Sequence, residues 1–381
     1  MHMVDDFDPE SGFFFGTATR SLLSGGAAIV LPGRGPLAPA RAEAVLSALG
    51  PDQILVGALP FDNRSAAQLI VPEWHRWGPA LDGEPDTASP RPAQYTLEPS
   101  PQHYLDAVSH ALHRIEHTEL SKVVLARSIS VELPEPADPV RILRRLRHRH
   151  SGGFVFACPV PGGNTLVGGS PELLVSRNGD TVSAHPLAGS RPRSHDPETD
   201  RQRRSELLAS TKDRFEHALV VDHIARTLEP YCSSLTAPST PEIVSTPHML
   251  HLGTRITGTL RDPLPSVLAL AGALHPTPAV CGTPTDSARD AITALEGFSR
   301  GFYAGTVGWC DAAGDGQWAV TIRCAEVGAD RARLFAGAGI VSDSKPQSEL
   351  DETEAKMSTM LTALGLHIEE ETGDRHLHTV A

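Results

Sequence analysis

The chain is short of the features that would place it in several common functional classes. Its five cysteines, Cys158, Cys232, Cys281, Cys310 and Cys324, are odd in number and include no Cys-x-x-Cys pair. Neither a disulfide framework nor a zinc site is indicated, and a reduced, cytoplasmic setting is the expectation. No apolar run reaches the roughly 18 residues of a membrane span, and the acidic opening from Met1 to Glu10 lacks the basic and apolar regions of a signal peptide. Positive charge is also scarce: 33 basic residues face 46 acidic ones, for a net charge of −13. That balance argues against nucleic acid or an anionic membrane as the main partner. An anionic substrate would need a local positive site.

What is present suffices for a large body. The 381 residues can bury a sizeable core. Residues 1–100 read as a mixed α+β portion integrated into the fold, with a β-rich opening at Gly12 to Thr17, a helical pattern at Ala40 to Leu49 and a strand at Ile54 to Leu59. From Gly78 to Pro101 the chain is dense in proline and polar residues, which reads as an exposed connection and an internal boundary. Residues 101–365 carry the strongest patterns, and 366–381 read as a flexible tail. Two stretches, Phe154 to Ser190 and Ala304 to Val341, are meanders that close in small residues, suggesting two pseudo-repeated halves. Asp200 to Glu229 reads as the longest helix, with Leu208, Phe215 and Leu219 on one apolar stripe. The basic helix Pro139 to His150 reads as a solvated face.

Several residues invite a chemical reading beside a plainer one. Lys122 stands at the mouth of the strand Lys122 to Leu133, where lysine is ordinarily exposed. Glu172 follows Pro171 as either a surface turn acid or an acid held partly desolvated, with a raised pKa. Glu216 lies at the edge of an apolar helix surface and needs a partner, for which a metal ion would serve. In Trp318 to Arg323, alternation sets Trp318, Val320 and Ile322 on one face and Arg323 on the other. Gly337 and Gly339 mark either a bulge or a strand that brings backbone N–H groups close to an anion. After Ser344 and Pro346 a helix sets Glu349, Glu352 and Lys356 on one face. Taken alone, Glu352 and Lys356 are a solvated i,i+4 pair worth ~0.3–0.5 kcal/mol. His248 and His251 lack zinc spacing with a third ligand and read as structural or polar lining.

Nine segments then coincide with one family, in order. Lys122-Val-Val-Leu-Ala-Arg127, Gly169-Ser-Pro-Glu-Leu-Leu174, Pro186-Leu-Ala-Gly-Ser190, Lys212-Asp-Arg-Phe-Glu-His217, His275-Pro-Thr-Pro-Ala-Val280, Gly305-Thr-Val-Gly-Trp309, Thr321-Ile-Arg323, Phe335-Ala-Gly-Ala-Gly339 and Glu352-Thr-x-x-Lys356 together resemble the chorismate-utilising enzymes. Within that family the chain looks most like isochorismate synthases of the catechol siderophore type, because of Lys122 and the His275 to Val280 loop. The resemblance implies an α+β fold in which large antiparallel sheets form a layered sandwich flanked by helices. It also implies a Mg²⁺-dependent isomerase acting on chorismate, with a monomer expected and a dimer as the alternative. Lys122 would be the general base for water attack at ring carbon C2, and Glu172 the general acid for the departing C4 hydroxyl. Glu216 and Glu352, with Glu349 nearby, would hold Mg²⁺. Arg323, Gly337 and Lys356 would anchor carboxylate oxygens, with Gly189, Ser190 and Val280 facing the substrate.

The residue types suit that chemistry. Hydroxide leaves poorly without a proton, and an amine serves as base only where burial or a neighbouring cation favours its neutral form. Relatives that make anthranilate typically carry glutamine where Lys122 stands, so lysine favours water as nucleophile. Salicylate synthase, which eliminates pyruvate after the same first step, is the near alternative. A catalytically silent chorismate-binding homologue is the alternative from another class.

Overall fold

The computed structural model describes residues 3–31, 44–85, 90–149 and 152–368. Within them, seven long helices are α1 (Pro101–His117), α2 (Pro139–Arg149), α3 (Pro197–Ala209), α4 (Thr211–Leu228), α5 (Val267–Leu274), α6 (Thr285–Leu295) and α7 (Pro346–Leu364). They flank two large antiparallel sheets. The ten-stranded sheet runs Gly282–Thr283, Lys122–Glu132, Arg331–Ile340, Cys324–Val327, Asn164–Ser170, Phe154–Val160, Phe13–Gly16, Arg20–Gly25, Trp74–Pro79, with Tyr95–Glu98 also beside Lys122–Glu132. The nine-stranded sheet runs Cys232–Thr236, Ile256–Leu260, Thr181–His185, Leu173–Asn178, Gly316–Val320, Thr306–Asp311, Ile54–Leu59, Gln68–Val71, Ile29–Val30. This is an α+β sandwich of large antiparallel sheets.

Alternation explains why consecutive aromatics can all be buried. Phe13 and Phe15 point into the main core with Leu22, Phe156 and Leu166, whereas Phe14 points the other way with Leu23 and Ala157. That second face is covered by Ile142, Leu143 and Leu146 of α2 and by Met357, Met360 and Ala363 of α7. A sheet covered on both sides needs apolar residues at every position, and the strands supply them.

Each of the two meanders gives one hairpin to each sheet. The first contributes Phe154–Val160 and Asn164–Ser170 to the ten-stranded sheet, then Leu173–Asn178 and Thr181–His185 to the other. The second contributes in the reverse order, Thr306–Asp311 and Gly316–Val320 before Cys324–Val327 and Arg331–Ile340. The chain therefore changes sheet at two places, Pro171–Glu172 and Thr321–Arg323. These crossovers lie against each other, since Gly169 N–H donates to Arg323 O (3.0 Å) and Val320 N–H donates to Glu172 O (3.2 Å).

Several expectations change. The Trp318 strand stops at Val320, and Arg323 adopts φ 51°, so the alternating pattern does not continue through 323. Asp200 to Glu229 is two helices, because Ser210 ends α3 and its side chain accepts from Asp213 N–H to start α4. The stripe of Leu208 and Phe215 faces outward, at 38% and 50% exposure; the inward face carries Asp213, Glu216, His217, Val220 and Ile224. Nor is α2 solvated throughout: Arg145 donates to Ala363 O, and Arg147 to Thr17 O and Gly153 O, from buried positions. Those arginines supply donors to carbonyls at or just beyond the ends of helices and strands. Between Gly78 and Pro101 the chain is not merely connective, for Arg91–Ala93 and Tyr95–Glu98 are strands. Leu366–Ile368 pairs in parallel with Arg91–Ala93; residues 40–43 of the early helical pattern and 369–381 of the tail lie outside the described residues.

Candidate active site

The site is built on the crossovers and on the ends of the elements packed beside them. Glu172 lies in the first crossover, 2% exposed, with its N–H donating to Ser170 Oγ at 3.2 Å. Burial pushes its carboxyl up to about 8; a hydrogen bond from the Leu187 backbone and the charges of Lys122, Lys356 and Arg323 pull the other way without overcoming it. It is a turn acid, but a buried one. Arg323 lies in the second crossover, and its left-handed backbone turns the guanidinium into the same pocket, 3.3 Å from His251 Nε2. Burial lowers the Arg323 pKa to about 10, which leaves it cationic at neutral pH.

Lys122 begins the eleven-residue strand Lys122–Glu132 and is wholly buried, contrary to the usual exposure of a strand-end lysine. Its Nζ lies 3.0 Å from Glu216 Oε1 on α4. Two further lysines are held in the same manner. Lys212, one turn before Glu216, sets its Nζ 2.6 Å from Glu349 Oε1, and Lys356 sets its own 2.5 Å from Glu352 Oε1, one turn back on α7. Glu352 also accepts from Ser190 Oγ at 2.8 Å. Burial lifts the Glu349 carboxyl, with the Glu352 charge adding to it; Glu352 itself is lowered because Lys356 and Ser190 outweigh the burial that would raise it. The Glu352 and Lys356 pair is no solvated decoration.

The glycines matter for what they leave out. A Cβ at Gly339 would run into Glu216 Oε1 and lie 3.1 Å from Lys122 Cε. Gly337 O accepts from Lys356 Nζ at 2.8 Å, on the strand edge where the Gly337 N–H also lies. Gly189, at φ 75°, passes so close to α4 that a Cβ would come within 2.9 Å of Asp213 Cβ. Helix α7 starts on Pro346 after Lys345; Ser344 does not cap it, and its Oγ accepts from Val341 N–H instead.

One pocket is thus lined by Glu172, Gly189, Ser190, Glu216, Val280, Arg323, Gly337, Glu352 and Lys356. Lys122 stands directly behind it through its contacts with Glu216 and Gly339, and Glu349 through its closeness to Glu352. All eleven candidate residues come together. His251, read from the sequence as structural or polar lining, lines the pocket; Tyr303 in the Gly301 to Gly305 turn also lines it and Lys212 at i−4 from Glu216 pairs with Glu349, and sequence reading assigns neither a role. A larger cleft of about 730 Å³, lined by His148, Arg149, His185, Arg193 and Arg255, shares Pro171 with the pocket but none of the paired lysines and carboxylates. Size therefore does not pick the site; the buried carboxyl and amine do.

Each of the three carboxylates faces a lysine. Among the described residues the trio whose possible ligand atoms all lie within 4.8 Å is instead His113, Glu116 and His117, exposed on α1. Even so, Glu216, Glu349 and Glu352 form an all-oxygen donor set, of the kind that suits a hard divalent cation. Chemically, the pocket offers a protonated acid, a buried amine, and cations fit to receive carboxylates.

A family described as chorismate binding enzyme matches residues 47–365, a span that contains every one of these groups. The chain belongs to that family. This chorismate-binding enzyme is 46% identical to isochorismate synthase DhbC of Bacillus subtilis strain 168, across 96% of each chain. It is 42% identical to the vibriobactin-specific isochorismate synthase of Vibrio cholerae, over 97% of its own length and 95% of that protein. The crystal structure of DhbC from Bacillus anthracis superposes with a TM-score of 0.90 at 45% identity, covering 96% of this chain and 99% of that one. Anthranilate synthase component I of Streptococcus pneumoniae, at 21% identity and a TM-score of 0.74, shares the fold. Among the described residues, no helix of the family member is long and apolar enough to cross a membrane.

Proposed function

We propose that the chain is an isochorismate synthase, an isomerase that interconverts chorismate and isochorismate. The observation that carries this reading is a buried acid, Glu172, raised to about 8, in a pocket backed by the buried amine of Lys122 against Glu216. In the forward direction water adds at ring carbon C2 and the C4 hydroxyl departs. Lys122 Nζ takes the proton that the attacking water releases, and Glu172 gives its proton to the departing hydroxyl, so one water enters and one leaves. Positioned acids and bases of this kind each contribute about 10²–10⁴-fold.

The remaining groups bind and orient. Arg323 and Lys356 receive the carboxylate of the enolpyruvyl arm, with the Gly337 N–H beside them, while Gly189, Ser190 and Val280 form the wall against the ring. Glu216, Glu349 and Glu352 are assigned to a divalent cation, for which Mg²⁺ is the fit: Glu349 and Glu352 lie close enough for one to raise the pKa of the other, and two such carboxylates call for a shared cation. When bound, that cation would supply positive charge to the ring carboxylate. The resemblance to the catechol siderophore type, together with the name of the vibriobactin-specific relative, supports a role for the product in siderophore assembly.

The test is incubation of the purified protein with chorismate and Mg²⁺, with an EDTA control, and separation of products by chromatography with mass detection. Isochorismate in metal-dependent equilibrium with chorismate is expected. Salicylate with pyruvate would move the chain to the lyase branch, and unchanged chorismate would make it a silent binder.

A further inference from the structure

The strand that carries Lys122 has a gap along one edge, and an ion pair fills it. On one side this strand pairs with Arg331–Ile340 from Val123 to Glu132. On the other, among the described residues, it meets two short strands, Gly282–Thr283 at Lys122 and Val123, and Tyr95–Glu98 from Ser128 to Val131. Between them the Val124 N–H donates to Cys281 O, and among the described residues no strand meets the Val124 carbonyl or the Ala126 N–H on that edge. Buried groups of that kind cost ~1–3 kcal/mol each when left unpaired. Here side chains supply the partners. Arg300 Nη2 donates to Val124 O at 2.7 Å, and the Ala126 N–H donates to Glu296 Oε1 at 2.8 Å.

Glu296 and Arg300 are themselves a buried pair, each side chain 2% exposed. Arg300 Nε donates to Glu296 Oε2 at 2.8 Å, and its Nη2 reaches Oε1. The guanidinium stacks 4.3 Å from the Phe61 ring, and its Nη1 donates to Val280 O at 2.7 Å. One planar fork therefore joins the carbonyls of Val124 and Val280, which both line the catalytic pocket. Neither Glu296 nor Arg300 itself lines that pocket.

We infer that Glu296 and Arg300 are positioning residues for the chemical step: they act as a surrogate strand that fixes the register of Lys122 and ties it to the Val280 loop. The inference rests on the proposed role of Lys122 as base. A displacement of about 1 Å at a catalytic group can cost on the order of 10²-fold in rate. Lysine at 300 keeps the charge but, as a point donor, cannot bridge two carbonyls; aspartate at 296 keeps the charge but falls short of Ala126.

Arg300→Lys and Glu296→Asp test this, because each leaves the buried charges paired and they disturb opposite ends, so that one remains informative should the other not fold. The readouts are kcat and KM for chorismate beside the thermal midpoint, with Lys122→Ala assayed in parallel. The expected result is kcat reduced about tenfold or more, with KM within about threefold of the parent and the protein still folded, the signature of an interaction made only in the transition state. A folded variant with kcat within about twofold of the parent, while Lys122→Ala is inactive, would reduce the pair to a purely structural role. Near-normal turnover by Lys122→Ala would overturn the base assignment itself, and the positioning role with it.

Discussion

The two crossovers between the sheets are alike in topology and opposite in chemistry. At the first, Ser170-Pro-Glu172 buries a carboxyl with too little compensation to stay ionised, and burial lifts it to about 8. At the second, Thr321-Ile-Arg323 buries a guanidinium that stays charged, its pKa lowered only to about 10. Equal burial shifts both groups towards neutrality, yet only the carboxyl crosses pH 7. The lesson is that a pseudo-symmetric frame can deliver an acid to one end of a substrate and an anion anchor to the other. The residue type at each break decides which.

Removing the acid breaks the comparison most severely. Glu172→Gln should lower kcat by about 10²–10⁴-fold with the fold intact, as followed by turnover and circular dichroism. Arg323→Gln comes next: losing a charge-assisted contact of ~1.5–3 kcal/mol should weaken binding of chorismate about 10–100-fold, read as KM or as a calorimetric Kd. Gly168→Ala presses on the seam itself, since a Cβ there would lie 2.7 Å from Cys324 Cβ and 3.0 Å from Arg323 O. A stability loss of ~1–3 kcal/mol in denaturant unfolding is expected, the usual cost of overpacking.

A further effect concerns pH. Because the Glu172 pKa rises from 4.5 to about 8 on folding, the folded chain keeps a proton that the unfolded chain has lost between those values. Its contribution to stability is therefore present below about 4.5 and declines as pH rises to about 8, by up to ~1.4 kcal/mol per pH unit. Glu172→Gln should consequently melt higher than the parent at alkaline pH, with the gap closing towards pH 4. Catalysis and stability should thus move in opposite directions in one variant.

Much of the pocket was legible because its residues fall in short, ordered segments whose chemistry is readable from type and spacing. Glu172 after Ser-Pro, the Glu349, Glu352 and Lys356 face, and the small residues at 337 and 339 all belong to that class. What escaped was set by tertiary contact. The break at Ser210 turns the inward face of α4 towards Glu216 and leaves Phe215 outside, against the apolar pattern. Arg145 and Arg147 are buried because distant carbonyls need donors, which no local pattern announces. Lys122 looked exposed from its place at a strand mouth, and only the Gly282–Thr283 strand and Glu216 packed over it make it buried.

The most direct measurement is the titration of the Glu172 carboxyl in the intact protein, by carbon NMR of glutamate-labelled chain with Glu172→Gln to assign the signal. A midpoint near 8 is expected, leaving the group mostly protonated and able to donate at neutral pH. A midpoint near 4.5, the ordinary value, would leave the pocket without its acid and contradict the account.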